Sequence, residues 1–196
     1  MEPVRLRPSL SFPPELLLAA RGEGDGMAAA IFDVDGVLTD GRIYVGESGE
    51  TVKAFATLDG HGLKLLAQGG IVPVVVSGRD SPALRRRVAD LGLVHAAYGA
   101  GDKRAAAQQI LATLGFSWSR VAAIGDDWPD LPILRRAAFA CAPPGAHAEV
   151  RAIVRHVTSA RAGYGAAREF CDLLLIASGR YEQLLNGPLE TLDGTG

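Results

Sequence analysis

Residues 27–41 read Met-Ala-Ala-Ala-Ile-Phe-Asp-Val-Asp-Gly-Val-Leu-Thr-Asp-Gly, and this stretch decides the fold. A short apolar run enters Asp33 and stops at the Asp35-Gly36 turn. Its brevity favours a buried β-strand, although periodicity alone leaves a helix open. We therefore predict the first strand of a sheet here, with two aspartates just beyond its carboxyl end.

Apolar runs that suit strands alternate with longer segments that suit helices along the rest of the chain. The predicted later strands are 71–76, 94–98, 121–124 and 138–141, and the predicted helices are 58–68, 82–91, 102–114, 131–137 and 166–178. This alternation predicts an α/β fold with a Rossmann-like parallel sheet flanked by helices. The strand at 138–141 is expected to be the last.

A β-hairpin flap is predicted between the first two strands of the sheet. Residues 42–45 and 51–55 are β-prone and enclose a glycine-bearing loop. The flap and one helix fill the space before the next strand, so no cap domain is expected. The predicted domains are an N-terminal arm with a short helix from Pro14 (1–26), the main domain (27–180) and a C-terminal tail (181–196), mobile from residue 189.

The composition excludes several classes of protein. The 196 residues are 48% hydrophobic, which is enough for one core, and the formal net charge of -2 gives no reason to expect nucleic acid or an anionic membrane. Cys141 and Cys171 have neither disulfide-framework nor zinc-site spacing. The apolar runs are far shorter than the roughly 20 residues of a membrane span, so a cytoplasmic location is expected.

Polar residues follow each predicted strand. The first strand leads into Asp33 and Asp35, the second into Ser77, Gly78 and Arg79, the third towards Lys103, and the fourth into Gly125, Asp126, Asp127 and Asp130. Each fragment alone resembles an ordinary turn or helix cap. The carboxyl ends of parallel strands share one edge of a sheet, so their common placement favours a single site.

These residue types point to phosphoryl transfer. Several carboxylates near one point repel unless a cation lies among them, and oxygen ligands select a hard ion such as Mg²⁺. Asp33 is expected to be the nucleophile, since a carboxylate with an ordinary pKa of about 3.9 is ionised at neutral pH. Asp35 would protonate the leaving group and later act as a base. Ser77 and Lys103 would hold the phosphoryl oxygens.

In sequence order, these motifs resemble the four motifs of the haloacid dehalogenase superfamily. They are Asp33-Val-Asp35-Gly36-Val-Leu-Thr39, Val-Ser77-Gly78-Arg79, Lys103 and Gly125-Asp126-Asp127-x-x-Asp130. The resemblance extends over about residues 27–180 through Asp59-Gly-His-Gly62 and Arg168-Glu-Phe-Cys-Asp172. Within the superfamily, the sequence most resembles the phosphatases of 3-deoxy-D-manno-octulosonate 8-phosphate, which serve lipopolysaccharide biosynthesis.

The resemblance implies a set of metal ligands. Magnesium would be held by the side chains of Asp33 and Asp126 and by the backbone carbonyl of Asp35. Asp127 and Asp130 would support these ligands. It also implies a homotetramer in which a neighbouring subunit roofs each site, because capless members of the superfamily assemble in this way.

Substrate choice is expected to depend on Arg79. A planar guanidinium can pair with a carboxylate, and the octulosonate phosphatases carry Ser/Thr-Gly-Arg where nonulosonate 9-phosphate phosphatases tend to carry Glu. One departure from the family is Tyr164, which stands where relatives often have a cationic residue. His61 and Arg87 are left without an assigned role.

Two other functions remain open from the sequence. A nonulosonate 9-phosphate phosphatase, or another small sugar-phosphate phosphatase, would share every catalytic residue. A receiver-like phosphoacceptor module also combines acidic residues, Ser/Thr and Lys, but it takes its phosphoacceptor from a later strand than its acidic pair. The Asp-x-Asp after the first strand favours the enzyme.

Overall fold

A computed structural model of the chain describes residues 5–47 and 49–193. Its strands are β1 (Ala29–Phe32), β2 (Tyr44–Gly46), β3 (Gly49–Val52), β4 (Val72–Val76), β5 (Ala96–Ala97), β6 (Val121–Ile124), β7 (Phe139–Ala142) and β8 (His156–Val157). Its helices are α1 (Pro14–Arg21), α2 (Thr57–Gln68), α3 (Pro82–Asp90), α4 (Lys103–Leu114), α5 (Leu131–Leu134), α6 (Ala148–Ile153), α7 (Ala166–Ala177) and α8 (Tyr181–Asp193).

Six strands form one parallel sheet in the order β5-β4-β1-β6-β7-β8. Ala29 of β1 lies opposite Val72 on one side and Val121 on the other. The chain builds the sheet from β1 towards β5 and then crosses to β6 on the opposite side. This reversal leaves a crevice beyond the carboxyl ends of β1 and β6, which is where α/β sheets bind their ligands.

Both faces of the sheet are covered by helices. Alternate residues of β1 point to opposite faces, so Phe32 packs with α1, α2, α3 and α7, whereas Ile31 packs with α4, α5 and α6. Phe32 meets Phe170 of α7 edge to face, with ring centroids 5.5 Å apart. Burial on both faces explains why β1 is continuously apolar, and burying a large side chain such as Ile31 or Phe32 contributes about 1.5–3 kcal/mol.

The predicted fold class is confirmed. The hairpin flap forms from antiparallel β2 and β3, with Tyr44 opposite Val52. Between β1 and β4, the part of the chain that the structure describes forms this hairpin and α2 and no cap domain. In the described residues, the flap is therefore the element next to the crevice in the place where a cap domain would be inserted.

The expectation that 138–141 is the last strand is wrong. Helix α6 and strand β8 follow, and β8 pairs in parallel with β7. Backbone bonds from Arg155 N–H to the Ala140 carbonyl (2.9 Å) and from Thr158 N–H to the Ala142 carbonyl (2.9 Å) hold β8 in place. A strand of two residues has no periodicity to detect.

The helix predicted over 131–137 is shorter in the structure, since α5 ends at Leu134.

The predicted C-terminal tail is corrected as well, because the chain is helical from Tyr181 to Asp193. Asn186 of α8 is buried, and its side chain exchanges hydrogen bonds with the backbone of Leu6, at 2.8 Å from Leu6 N–H and 3.0 Å to the Leu6 carbonyl. Helix α8 thus holds the N-terminal arm. The predictions for residues 1–4 and 194–196 fall outside the described residues.

Within residues 5–47 and 49–193, every helix is too short or too polar to traverse a lipid bilayer.

Candidate active site

Asp33 lies at the base of the crevice, directly after β1. Its backbone N–H donates to the Ile124 carbonyl at 3.1 Å, and its side chain is buried. Lys103 begins α4, and its Nζ donates to Asp33 Oδ1 at 2.6 Å. The helix start is fixed by Asp102, whose carboxylate accepts the Ala105 N–H at 2.9 Å. The chain thus places an ammonium against the first aspartate.

Asp33, Asp126 and Asp130 form an acidic cluster in which one carboxylate oxygen of each lies within 4.8 Å of the others. Asp126 follows β6, next to β1 in the sheet. Asp130 Oδ2 accepts the backbone N–H groups of Asp126 (3.0 Å) and Asp127 (3.2 Å). Its Oδ1 accepts from Lys103 at 2.8 Å. Asp130 therefore shapes the loop that carries Asp126.

The electrostatics of this cluster favour an added cation. Burial, and then repulsion from Asp130, raise the pKa of Asp33 well above its ordinary value and that of Asp126 to about 6. Burial works against the Lys103 ammonium, but attraction to Asp33 and Asp130 raises the Lys103 pKa overall. One ammonium among three carboxylates leaves an excess of negative charge. The donors are all oxygen, so the cluster fits a hard divalent ion such as Mg²⁺.

The residue after the Asp33-Val-Asp35 motif, Gly36, has to be a glycine for two reasons. Its φ is +90°, a left-handed conformation that side chains rarely adopt. A Cβ at this position would also overlap the carboxylate of Asp126. The backbone beyond Asp35 therefore approaches the acidic cluster more closely than any other residue type allows.

Asp35 points away from the three-carboxylate cluster and towards the flap. Its carboxylate accepts a hydrogen bond from Lys53, which follows β3 and whose side chain is buried. Glu50 of β3 lies beside them, with Oε1 3.2 Å from Lys53 Nζ. Lys53 and Glu50 were not predicted from the sequence. The available signal was two charged residues within a β-prone run, which a purely solvent-exposed hairpin explains equally well.

Ser77 and Arg79 border the same crevice. Ser77 is buried just beyond β4, and its Oγ accepts the Arg79 N–H at 3.1 Å. A Cβ on Gly78 would lie 3.6 Å from Lys103 Cε, so this loop adjoins the lysine. The guanidinium of Arg79 is half-exposed, with Nε 4.0 Å from Asp35 Oδ2. The structure thus gathers the residues predicted from all four strands at one edge of the sheet.

Four other residues named from the sequence lie outside this cluster. Asp127 is exposed and caps a turn by accepting the Trp128 N–H at 2.8 Å. Arg87 donates to the Ala56 carbonyl at 3.2 Å, which makes it a packing residue between α3 and α2. His61 is exposed on α2 and lines a cavity of about 620 Å³ between α2, α7 and α8. Tyr164 is 65% exposed on the loop before α7.

This chain is similar to known proteins in sequence and in fold. The family described as haloacid dehalogenase-like hydrolase matches residues 97–170. A 3-deoxy-D-manno-octulosonate 8-phosphate phosphatase of Yersinia pestis is 40% identical over 152 residues, which cover 78% of this chain and 81% of that protein. The chain belongs to the haloacid dehalogenase-like hydrolases. The superfamily resemblance inferred from the four motifs is confirmed.

Two further members of this family extend the match. The enzyme of the same name from Haemophilus influenzae is 42% identical over 150 residues, covering 76% of this chain and 83% of that protein. A crystal structure of the Moraxella catarrhalis enzyme, in complex with magnesium, phosphate and the octulosonate sugar, aligns with a TM-score of 0.83 at 35% identity. That alignment covers 88% of this chain and 97% of the other.

Proposed function

We propose that this haloacid dehalogenase-like hydrolase is a magnesium-dependent phosphatase that converts 3-deoxy-D-manno-octulosonate 8-phosphate to the free sugar acid and phosphate, a step of lipopolysaccharide biosynthesis. The observation that carries the proposal is the buried cluster of Asp33, Asp126, Asp130 and Lys103 at the switch point of the sheet. Relatives that are 35–42% identical to this chain over 150–161 aligned residues are named 3-deoxy-D-manno-octulosonate 8-phosphate phosphatases, which supports the proposal.

Asp33 is the proposed nucleophile. Its carboxylate attacks phosphorus and forms an aspartyl phosphate, while Lys103 and the buried Ser77 hold the equatorial oxygens of the transferring group. Lys103 contacts Asp33 at 2.6 Å, so the same ammonium that favours the ionised nucleophile also lies next to the incoming phosphoryl group. Water then hydrolyses the aspartyl phosphate.

Asp35 is the proposed acid and base. It must protonate the leaving sugar oxygen and later take a proton from water. Its carboxylate is bound by the buried Lys53 of the flap, which fixes its orientation beside the nucleophile. Lys53 acts through Asp35, so we regard it as a positioning residue.

A magnesium ion would be held by the side chains of Asp33 and Asp126 and by the Asp35 backbone carbonyl. When bound, it neutralises charge on the phosphoryl group and on the carboxylates around it. Asp130 supports this set through its bonds to the backbone of Asp126. Asp127, on the surface turn, contributes to the shape of the same loop.

Arg79 is the proposed receptor for the carboxylate of the sugar acid. Its guanidinium lies at the mouth of the crevice and is half-exposed. The flap carries exposed apolar side chains, including Val45 (73% exposed) and Val52 (56% exposed). We infer that these faces meet in a homotetramer whose neighbouring subunits cover each site, since an open crevice would leave the aspartyl phosphate unprotected from water.

The proposal is tested by measuring phosphate release from a panel of substrates with and without magnesium. The panel comprises the octulosonate 8-phosphate, a nonulosonate 9-phosphate and a neutral hexose 6-phosphate. We expect kcat/KM to be highest for the octulosonate, and activity to vanish reversibly in excess chelator. Tyr164 stands where relatives often have a cationic residue, which leaves the identity of the sugar acid open. The nonulosonate 9-phosphate is therefore the competing substrate that tests the assignment most closely. Equal rates on all three substrates would refute the octulosonate assignment. The protein would then be a phosphatase without this substrate preference.

A further inference from the structure

The guanidinium of Arg79 already has a carboxylate partner on the flap. Arg79 Nη2 and Nε donate to Glu50 Oε2 at 3.1 and 3.3 Å. The Glu50 side chain is only 11% exposed, whereas that of Arg79 is 46% exposed. The group that would receive the substrate is therefore bound by a residue of the same chain.

This pairing is an incomplete one. Both bonds from Arg79 go to a single oxygen of Glu50, so the two-oxygen fork that a guanidinium and a carboxylate can form is not used. The other oxygen, Oε1, is buried and accepts no hydrogen bond of standard geometry from the described part of the chain. The Lys53 ammonium lies 3.2 Å from Oε1 as an ion-pair partner, so Glu50 is paired with two cations but forms the two-oxygen fork with neither.

We propose that Glu50 competes with the carboxylate of the substrate for Arg79, so that a sugar acid must displace Glu50 in order to bind. This inference rests on the proposed function, in which Arg79 binds the sugar acid. A free carboxylate can form the full fork with Arg79, which Glu50 does not. A neutral sugar offers no charge to replace Glu50, so it leaves the Arg79–Glu50 pair in place.

Lys53 makes the exchange feasible. Its Nζ lies 3.2 Å from Glu50 Oε1, whereas Arg79 binds the other oxygen, Oε2. When Glu50 releases Arg79, it therefore retains a cationic partner and is not left as a buried, unpaired charge. Lys53 also binds Asp35, so the flap joins the specificity residue to the proposed acid and base.

The first test compares Glu50→Gln with a matched variant, Glu47→Gln, at an exposed glutamate of the same hairpin. Glu50→Gln should lower KM for the octulosonate 8-phosphate about two- to fivefold, the range expected for removing a partly exposed ion pair, with kcat nearly unchanged. KM for a neutral hexose 6-phosphate should not change. Glu47→Gln should leave both values as in the wild type. An unchanged or raised KM for the octulosonate in Glu50→Gln would overturn the proposal.

Product inhibition gives a second readout. The free sugar acid carries the carboxylate, whereas inorganic phosphate does not, so Glu50→Gln should strengthen inhibition by the sugar acid by the same factor and leave inhibition by phosphate unchanged. Glu50→Ala should act in the same direction, which guards against an effect peculiar to glutamine. Thermal unfolding of each variant checks that the fold is intact. Equal strengthening for both inhibitors would show a general opening of the site and would contradict competition at Arg79.

A third variant separates this inference from the proposed function. Arg79→Gln should raise KM for the octulosonate 8-phosphate, and adding Glu50→Gln to it should then have no further effect. If Arg79→Gln raises KM but Glu50→Gln does not lower it, only the competition is wrong. If Arg79→Gln leaves KM unchanged, the assignment of Arg79 falls and the competition falls with it.

Discussion

The residue that restricts the candidate site most tightly has no side chain. Gly36 adopts φ +90°, and a Cβ there would occupy the space of the Asp126 carboxylate. The close approach of these two loops brings the backbone after β1 to the acidic cluster. It also explains in physical terms why glycine follows Asp35.

Gly36→Ala is predicted to abolish magnesium binding, because the new methyl group displaces Asp126. Strain at the positive φ should in addition lower the free energy of unfolding by about 1–3 kcal/mol. Gly115→Ala is the matched control, since Gly115 has φ +71° but no atom within 4 Å of the added Cβ. Calorimetric titration with Mg²⁺ should show no binding for Gly36→Ala and normal binding for Gly115→Ala. Normal binding by both variants would contradict this account.

The acidic cluster predicts how magnesium affinity depends on pH. Burial and repulsion from Asp130 raise the pKa of Asp126 to about 6. A raised pKa means that the metal-free carboxyl binds a proton more readily, and the protonated form is a poor ligand. Since the pKa of Asp33, the other side-chain ligand, is also raised, affinity should fall by at least about tenfold per pH unit below pH 6. Titrations at pH 7.5 and pH 5 measure this, and equal affinities at the two values would be inconsistent with it.

At the scale of elements, the strongly patterned segments were predictable from sequence. β1, β6 and α4 have clear apolar runs or helix signals, and Gly115 ends α4 in the left-handed conformation. Strand β8 was missed because two residues carry no pattern. The ion pair between Lys53 and Asp35 was missed for another reason, since no local signal indicates which way a charged residue of a hairpin points.

Asp59 shows a long-range contact that sequence reasoning could not supply. It was noted only as part of a motif, and the structure buries it at the start of α7. Its carboxylate accepts the backbone N–H of Arg168 at 2.8 Å and that of Gly165 at 3.2 Å. A residue of α2 thus caps a helix more than 100 positions later in the chain.

Asp59→Ala should lower the free energy of unfolding by about 1–2 kcal/mol, because the first N–H groups of α7 lose a buried acceptor. Asp90→Ala is a suitable control, since Asp90 is exposed and pairs with the exposed Arg86, so its loss should change stability by less than about 0.5 kcal/mol. Urea unfolding of both variants decides the matter. Equal stabilities would mean that Asp59 does not cap α7.

At the scale of the whole molecule, the flap has two roles in our account. Its inner side carries Glu50 and Lys53 to the catalytic loops, and its outer side exposes Val45. The sequence predicted the hairpin but not this inward network. Two short strands cannot bury both faces, so an exposed apolar side favours contact with another subunit.

Val45→Asp is predicted to break the proposed homotetramer, since it places charges in the contact between flaps. Light scattering should give the mass of a tetramer for the wild type and a smaller mass for the variant. Substitution of the exposed Leu18 on α1 by Asp serves as a control outside the flap. A wild type that is monomeric at micromolar concentration would contradict the tetramer.

The central claim is that Asp33 transfers the phosphoryl group within a magnesium site, and it is tested most directly by one kinetic comparison. Phosphate release from the octulosonate 8-phosphate is measured for the wild type and for Asp33→Asn, each in excess Mg²⁺. We predict that Asp33→Asn folds normally and is slower by at least about a thousandfold. A folded Asp33→Asn protein with wild-type turnover would contradict the account.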